Sequence, residues 1–151
     1  MNKADWYSLL KRNVKQFNKE RKEGKMIDLS HVDLSYADLS YANLSGVNLR
    51  YANLKKADLR WVNLDKANLE GANLEETYLH GADLNGANLS GVNLKNSCLE
   101  KVDLEGADLT NANLECAYLS YVLLRDANLN GAIISFRNNI VRIRFEEADD
   151  E

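Results

Sequence analysis

Residues 27–46 read Ile27-Asp28-Leu29-Ser30-His31, Val32-Asp33-Leu34-Ser35-Tyr36, Ala37-Asp38-Leu39-Ser40-Tyr41, Ala42-Asn43-Leu44-Ser45-Gly46, and this five-residue phrase decides the fold. Leu recurs at every fifth position from Leu29 through Leu129, and Ile134 takes the next slot. Two residues before each stands a small or β-branched residue, from Ile27 to Ala132, with Thr77 and Ser97 the polar ones. The two positions obey a period of two, which turns both to one side of an extended segment. A five-residue repeat suits neither a continuous strand nor a 3.6-residue helix, so each pentad reads as a short extended side followed by a turn. Asp or Asn usually stands between the inward pair, and Gly, Tyr, Lys or Asn often fills the last position. Such polar side chains bond nearby backbone groups and support turns.

The Ala-(Asp/Asn)-Leu-x-x pattern, as in Ala37-Asp38-Leu39-Ser40-Tyr41 and Ala87-Asn88-Leu89-Ser90-Gly91, resembles the pentapeptide-repeat family over residues 27–136. The resemblance implies an all-β solenoid, a right-handed quadrilateral β-helix with four pentads per coil, so that residues twenty apart stack at about 4.8 Å. The charges test this spacing on their own. In the position after Leu, Arg50/Glu70, Lys55/Glu75, Glu75/Lys95, Lys95/Glu115 and Glu105/Arg125 are opposite in sign, and no like pair occurs at that separation. Stacked neighbours avoid like charge. Separations of fifteen or twenty-five each bring in a like pair. Twenty-two pentads then make about five and a half coils, a rod roughly 26 Å tall at the same spacing.

A solenoid needs its ends covered. In residues 1–26, Trp6, Leu9, Leu10, Val14 and Phe17 recur near helical spacing with Lys11, Arg12, Lys15 and Lys19 elsewhere on the wheel. This predicts one amphipathic helix capping the first coil and ending at Glu23-Gly24-Lys25. In residues 137–151, Val141, Ile143 and Phe145 alternate with Arg142 and Arg144, which predicts a terminal strand before an acidic, frayed tail. That strand pairs with its own last coil or with a second molecule; the monomer is the favoured arrangement.

The chain of 151 residues suits one domain, with eight basic against three acidic residues in 1–26 and eight against fifteen in 27–136. No apolar run reaches the ~20 residues that span a bilayer, and the N-terminus lacks a secretory signal, so a soluble cytoplasmic protein is expected. Cys98 and Cys116 have no metal-ligand or redox-motif spacing, and two reduced thiols are expected, with no cofactor and no metal.

Coils of twenty place Tyr78, Cys98 and Tyr118 in one column where other coils carry Asp or Asn, with Leu123 making the same departure on the adjoining face. Thr77 and Ser97 deviate beside them. These residues, with His80, form the candidate partner-binding patch; the plainer account is aromatic stacking up the sheet. His80 below Glu100 and diagonal to Cys98 suggests a nucleophile set, but no oxyanion donor or cleft accompanies it. Arg50, Tyr51, Lys55, Lys56, Arg60 and Trp61 form a second, basic and aromatic zone of the kind that holds single-stranded nucleic acid. The nearby Glu70, Glu75 and Glu76 weaken its field, and nucleic acid is not the expected partner.

The expected function is a non-enzymatic scaffold with a regulatory role, which presents a rod surface to an unknown protein partner. The alternative follows from the resemblance: some members protect DNA gyrase as acidic, DNA-mimicking dimeric rods. This rod is shorter, never places Phe at the central position, and interleaves Lys and Arg with its acids. The N-terminal segment, with Leu9-Leu10 and Phe17-Asn18 ahead of Ile27-Asp28-Leu29-Ser30, is similar to helical caps of cyanobacterial members, some of which influence heterocyst patterning.

Overall fold

A computed structural model of the protein describes residues 1–21 and 25–135. The expected helix stop at Glu23-Gly24, the strand at Val141, Ile143 and Phe145 and the acidic tail lie outside the described residues.

Along the repeat, every pentad bonds to the pentad twenty residues on. Parallel bridges pair Asp28 with Asn48, Asn48 with Asn68 and Asn68 with Asn88, and three more columns rise the same way from Asp33, Asp38 and Asn43. Four pentads therefore close one coil of a β-helix. Because a corner interrupts the chain every fifth residue, most sides meet through a single bridged pair rather than a strand. Among the described residues, three-residue strands form at β1, Asn113–Glu115, and β2, Ile133–Ser135, paired in parallel with Asn113 opposite Ile133.

The corners fall two residues after each Leu, in the left-handed backbone region. Gly46 has φ 63° and Gly81 φ 67°, but Tyr36, Tyr41, Lys56 and Trp61 adopt φ values of 57–60° as well. For a residue with a β-carbon that conformation costs roughly 1 kcal/mol. The packing that opposes the cost lies inside. Every Leu from Leu29 to Leu124 is buried, most of them completely, and the Ala/Val column closes round them. Thr77 and Ser97 join this interior; their hydroxyls donate to the carbonyls of Leu74 and Leu94 at 2.7 and 2.6 Å.

Of the five stacked charge pairs, Arg50–Glu70, Lys55–Glu75 and Lys95–Glu115 meet at 3.1 Å. Glu75/Lys95 and Glu105/Arg125 form no ion pair among the described residues. Glu75 is already held by Lys55, Lys95 turns to Glu115, and Arg125 turns to its neighbour Asp126 at 3.7 Å.

The N-terminal segment forms two helices where the sequence predicted one. Helix α1, Lys3–Arg12, opens with a capping box in which the Asn2 side chain accepts the Asp5 N–H and Asp5 accepts the Asn2 N–H. Asn13 then leaves the helical region, at φ −157°, and its side chain accepts the Gln16 N–H to start α2, Val14–Glu20. An asparagine that caps locally competes with continued helix, and here it wins. Trp6, Leu9, Leu10 and Phe17 are buried in one cluster with Leu29, Leu34 and the rest of the column, Trp6 meeting Phe17 edge to face at 5.4 Å. Polar contacts tie the pair to the first coil. Tyr7 donates to the Asp33 carbonyl at 2.7 Å, Asn18 donates to the Tyr41 carbonyl and accepts the Asn43 N–H, and Arg21 donates to the carbonyls of Asn43 and Ser45.

Candidate functional site

The outward Asp and Asn of the repeat have a local task. In seventeen of the twenty-one pentads from Asp28 to Asn128, this side chain accepts the backbone N–H two residues on, at 2.9–3.3 Å. The bond mimics a backbone turn and closes the corner. The four exceptions are Tyr78, Cys98, Tyr118 and Leu123. There, the N–H groups of His80, Glu100, Ser120 and Arg125 have no hydrogen-bond acceptor among the described residues. In the other pentads this N–H meets the Asp or Asn side chain, which these four positions lack.

Tyr78, Cys98 and Tyr118 bridge one another directly, Tyr78 to Cys98 and Cys98 to Tyr118, and continue the column begun by Asp38 and Asp58. Tyr78 is 57% and Tyr118 45% exposed. Cys98 is half-buried, as is Leu123, which stands on the adjoining face bridged to Asp103. His80 is also half-buried; its Nδ1 lies 3.3 Å from Glu100 and its ring meets Trp61 edge to face at 5.1 Å. No hydrogen bond joins Cys98 to His80 among the described residues, so the imagined nucleophile and base are not paired.

Beside this column runs an open trough of about 630 Å³, between the corner formed by Tyr36, Lys56 and Glu76 and the wall formed by Tyr78 and Cys98. A smaller continuation of about 280 Å³ reaches Asp38, Asp58 and Arg60.

The second zone is not gathered into one patch. Tyr51, Lys56 and Trp61 occupy three successive corners of one coil, and Tyr51 stacks on His31 at 5.2 Å instead of facing the other rings. Its cations are engaged: Arg50 with Glu70, Lys55 with Glu75 and Glu76, Lys56 with Glu76, and Arg60 with Asp58. The bond to Glu75 raises the Lys55 ammonium above its ordinary range, and the Arg60 guanidinium holds the Asp58 carboxyl below its own. The Arg50 Nε is buried without a partner among the described residues.

Among the described residues, no group of three or more His, Cys, Asp or Glu side chains converges as a metal site, and no helix is long and apolar enough to cross a membrane. Cys98 and Cys116 are free thiols. Sequence reasoning found the tyrosines and the thiol but missed the backbone donors of His80, Glu100 and Ser120. The signal was present, since each follows by two residues a position that lost its Asp or Asn.

Comparison with known proteins places this geometry. A family model of pentapeptide repeats, eight copies long, matches residues 27–65, 63–100 and 87–120. The crystal structure of alr5209, a pentapeptide repeat protein from Nostoc PCC 7120, is 31% identical over 71% of this chain and 80% of that one, with a TM-score of 0.56. A pentapeptide repeat protein (Rfr23) from the cyanobacterium Cyanothece 51142 is also 31% identical, over 79% of this chain and 66% of that one, with a TM-score of 0.46. QnrB1, a plasmid-mediated fluoroquinolone resistance protein, is 23% identical over 76% of this chain and 70% of that one, with a TM-score of 0.41. Against curated proteins the chain finds no match. The repeat, the four-sided coils and the matched span agree, and the chain belongs to the pentapeptide-repeat family, whose members form right-handed quadrilateral β-helices.

Proposed function

We propose that the protein is a non-enzymatic interaction scaffold whose Tyr78, Cys98, Tyr118 and Leu123 contact a protein partner, with His80 at the rim. One observation carries this reading: these four positions alone among the twenty-one give up the turn-closing acceptor, and they do so side by side. Each loss removes an intramolecular bond worth about 1 kcal/mol. In exchange the face gains two exposed tyrosines and a set of outward N–H donors that a partner's carbonyls or carboxylates satisfy. Tyrosine is also the residue type that anchors interfaces. The test is affinity capture with wild-type protein and with a Tyr78→Asn, Cys98→Asn, Tyr118→Asn variant. Loss of a captured protein supports the patch; unchanged capture of every partner removes it.

The rival reading, a DNA-mimicking inhibitor or protector of an enzyme such as gyrase, draws on the acid excess of residues 27–136. It fits less well because Asp58, Glu70, Glu75 and Glu115 are each neutralised by a cation on the same rod. A gyrase supercoiling assay at micromolar protein discriminates, and no effect disposes of it.

The same reading takes residues 1–26 as the cap and 27–136 as about five and a half coils, supported by the burial of Trp6, Leu10 and Phe17 in the column's cluster. A cytoplasmic setting belongs to the same proposal, and fractionation of the native cells tests it.

A further inference from the structure

The scaffold reading leaves open what kind of chain the patch takes, and the column Asp38, Asp58, Tyr78, Cys98, Tyr118 contains a measure of length. Its members bridge in sequence, so Tyr78 and Tyr118 stand two coil rises apart, about 9.6 Å at the usual strand spacing. Asp38 and Tyr78 are separated by the same distance. A polyproline II helix repeats every three residues at about 3.1 Å each, a turn of roughly 9.3 Å. Side chains at positions i, i+3 and i+6 of such a ligand therefore fall opposite Asp38, Tyr78 and Tyr118.

Hydrogen bonding selects the same ligand. The backbone of each side is bonded to the coils above and below, so the face has no free edge along which a β-strand adds. What it offers is donors: the N–H groups of His80, Glu100 and Ser120, and the Tyr78 and Tyr118 hydroxyls, which have no partner among the described residues. A proline-rich chain is the complement, rich in carbonyl acceptors and poor in N–H donors. Proline rings also pack on exposed aromatic rings.

Charge sets the direction. Around the near end of the trough, Lys56 and Arg60 stand against Glu76, Asp58 and Asp38, two cations for three carboxylates. Lys56 pairs with Glu76 and Arg60 with Asp58, while the Asp38 carboxylate accepts from Ser40 alone among the described residues. We propose that this column docks a proline-rich segment of a partner protein in the polyproline II conformation, laid along the rod axis. A basic residue faces Asp38, and prolines three and six residues further on pack against Tyr78 and Tyr118. The inference rests on the scaffold reading and narrows it to one class of partner.

The experiment is fluorescence anisotropy with the labelled peptide Arg-Pro-Ala-Pro-Pro-Ala-Pro and the intact protein. Saturable binding is expected, weakened at least about tenfold by Tyr78→Ala or by Tyr118→Ala, the effect of losing an aromatic anchor. Asp38→Asn is expected to weaken this peptide and to leave unchanged a version with Ala in place of Arg. Tyr51→Ala, on another corner, is expected to have no effect. All four substitutions are at surface side chains, and circular dichroism checks the fold. Absence of saturation at millimolar peptide, an equal loss with Tyr51→Ala, or binding of cellohexaose in place of the peptide overturns the proposal. If the Tyr78→Asn, Cys98→Asn, Tyr118→Asn variant loses a captured partner while the peptide fails to bind wild-type protein, the scaffold stands and the proline-rich ligand falls.

Discussion

The indole of Trp61 covers Gly81 so closely that a β-carbon added there would lie 2.3 Å from the ring. Gly91 occupies an equivalent corner with nothing within 4 Å of the added carbon. Both have left-handed backbone, so either Gly→Ala change carries roughly 1 kcal/mol of strain. Gly81→Ala also displaces Trp61, and urea unfolding should show it about 1–2 kcal/mol worse than Gly91→Ala. In a Trp61→Ala background the difference should vanish; its persistence would assign the penalty to something other than the ring.

Leu74 and Thr77 separate core from pattern. Leu74 is completely buried in mid-column, and Leu74→Ala should cost about 2–5 kcal/mol by the same measurement. The Thr77 hydroxyl donates to the Leu74 carbonyl, which the Thr77 N–H already meets at 3.3 Å. Thr77→Ala therefore leaves no orphaned acceptor and should change stability by less than about 1 kcal/mol.

Much of this was legible in the sequence and some was not, for physical reasons. A Leu every fifth residue, with its partner two before, points to short inward-facing sides joined by turns; the family resemblance implies four of them per coil, and Arg50/Glu70 and Lys55/Glu75 agree with that spacing. The break at Asn13 escaped notice because apolar spacing runs through it from Leu10 to Phe17, while the cap that decides it is a single side-chain bond. Glu75 could answer Lys55 or Lys95, and charge order alone does not choose. The Tyr78, Cys98 and Tyr118 column was visible as a departure from pattern. Its freed N–H groups are implied by the same departure, but which donor each Asp or Asn serves, the N–H two residues on, is fixed only by the turn geometry.

Restoring the repeat should stabilise the protein. Tyr118→Asn supplies an acceptor for the Ser120 N–H and should raise unfolding free energy by about 0.5–1.5 kcal/mol, the net value of one such bond. Chemical denaturation checks this directly. A destabilised variant would mean that Tyr118 contributes packing that outweighs the missing turn bond.

Acid should unfold the rod through its turns. The Asp58 carboxyl is held low by the Arg60 side chain, Asp33 by the Ser35 hydroxyl, Asp108 by the Thr110 hydroxyl and Asp28 by the Ser30 N–H. A carboxyl depressed in the folded state stabilises it fully above the unfolded value, near 3.9, and that contribution is lost as pH falls through the folded value. Melting temperature should therefore be insensitive to these groups above about pH 5 and drop below about pH 4. Asp58→Asn should make the acid limb shallower, and an unchanged limb would exclude Asp58 from it.

The face itself is tested most directly through its own thiol. Cys98 lies between Tyr78 and Tyr118, so a partner bound across the column must cover it. The measurement is the iodoacetamide labelling rate of Cys98 by mass spectrometry, for purified protein and for the same protein in extract of its native cells. Labelling should be at least about tenfold slower in the extract, corresponding to roughly 1.4 kcal/mol of protection, and the fast rate should return when Tyr118→Asn is present. Equal rates for wild-type protein in buffer and in extract would contradict a partner bound across the column.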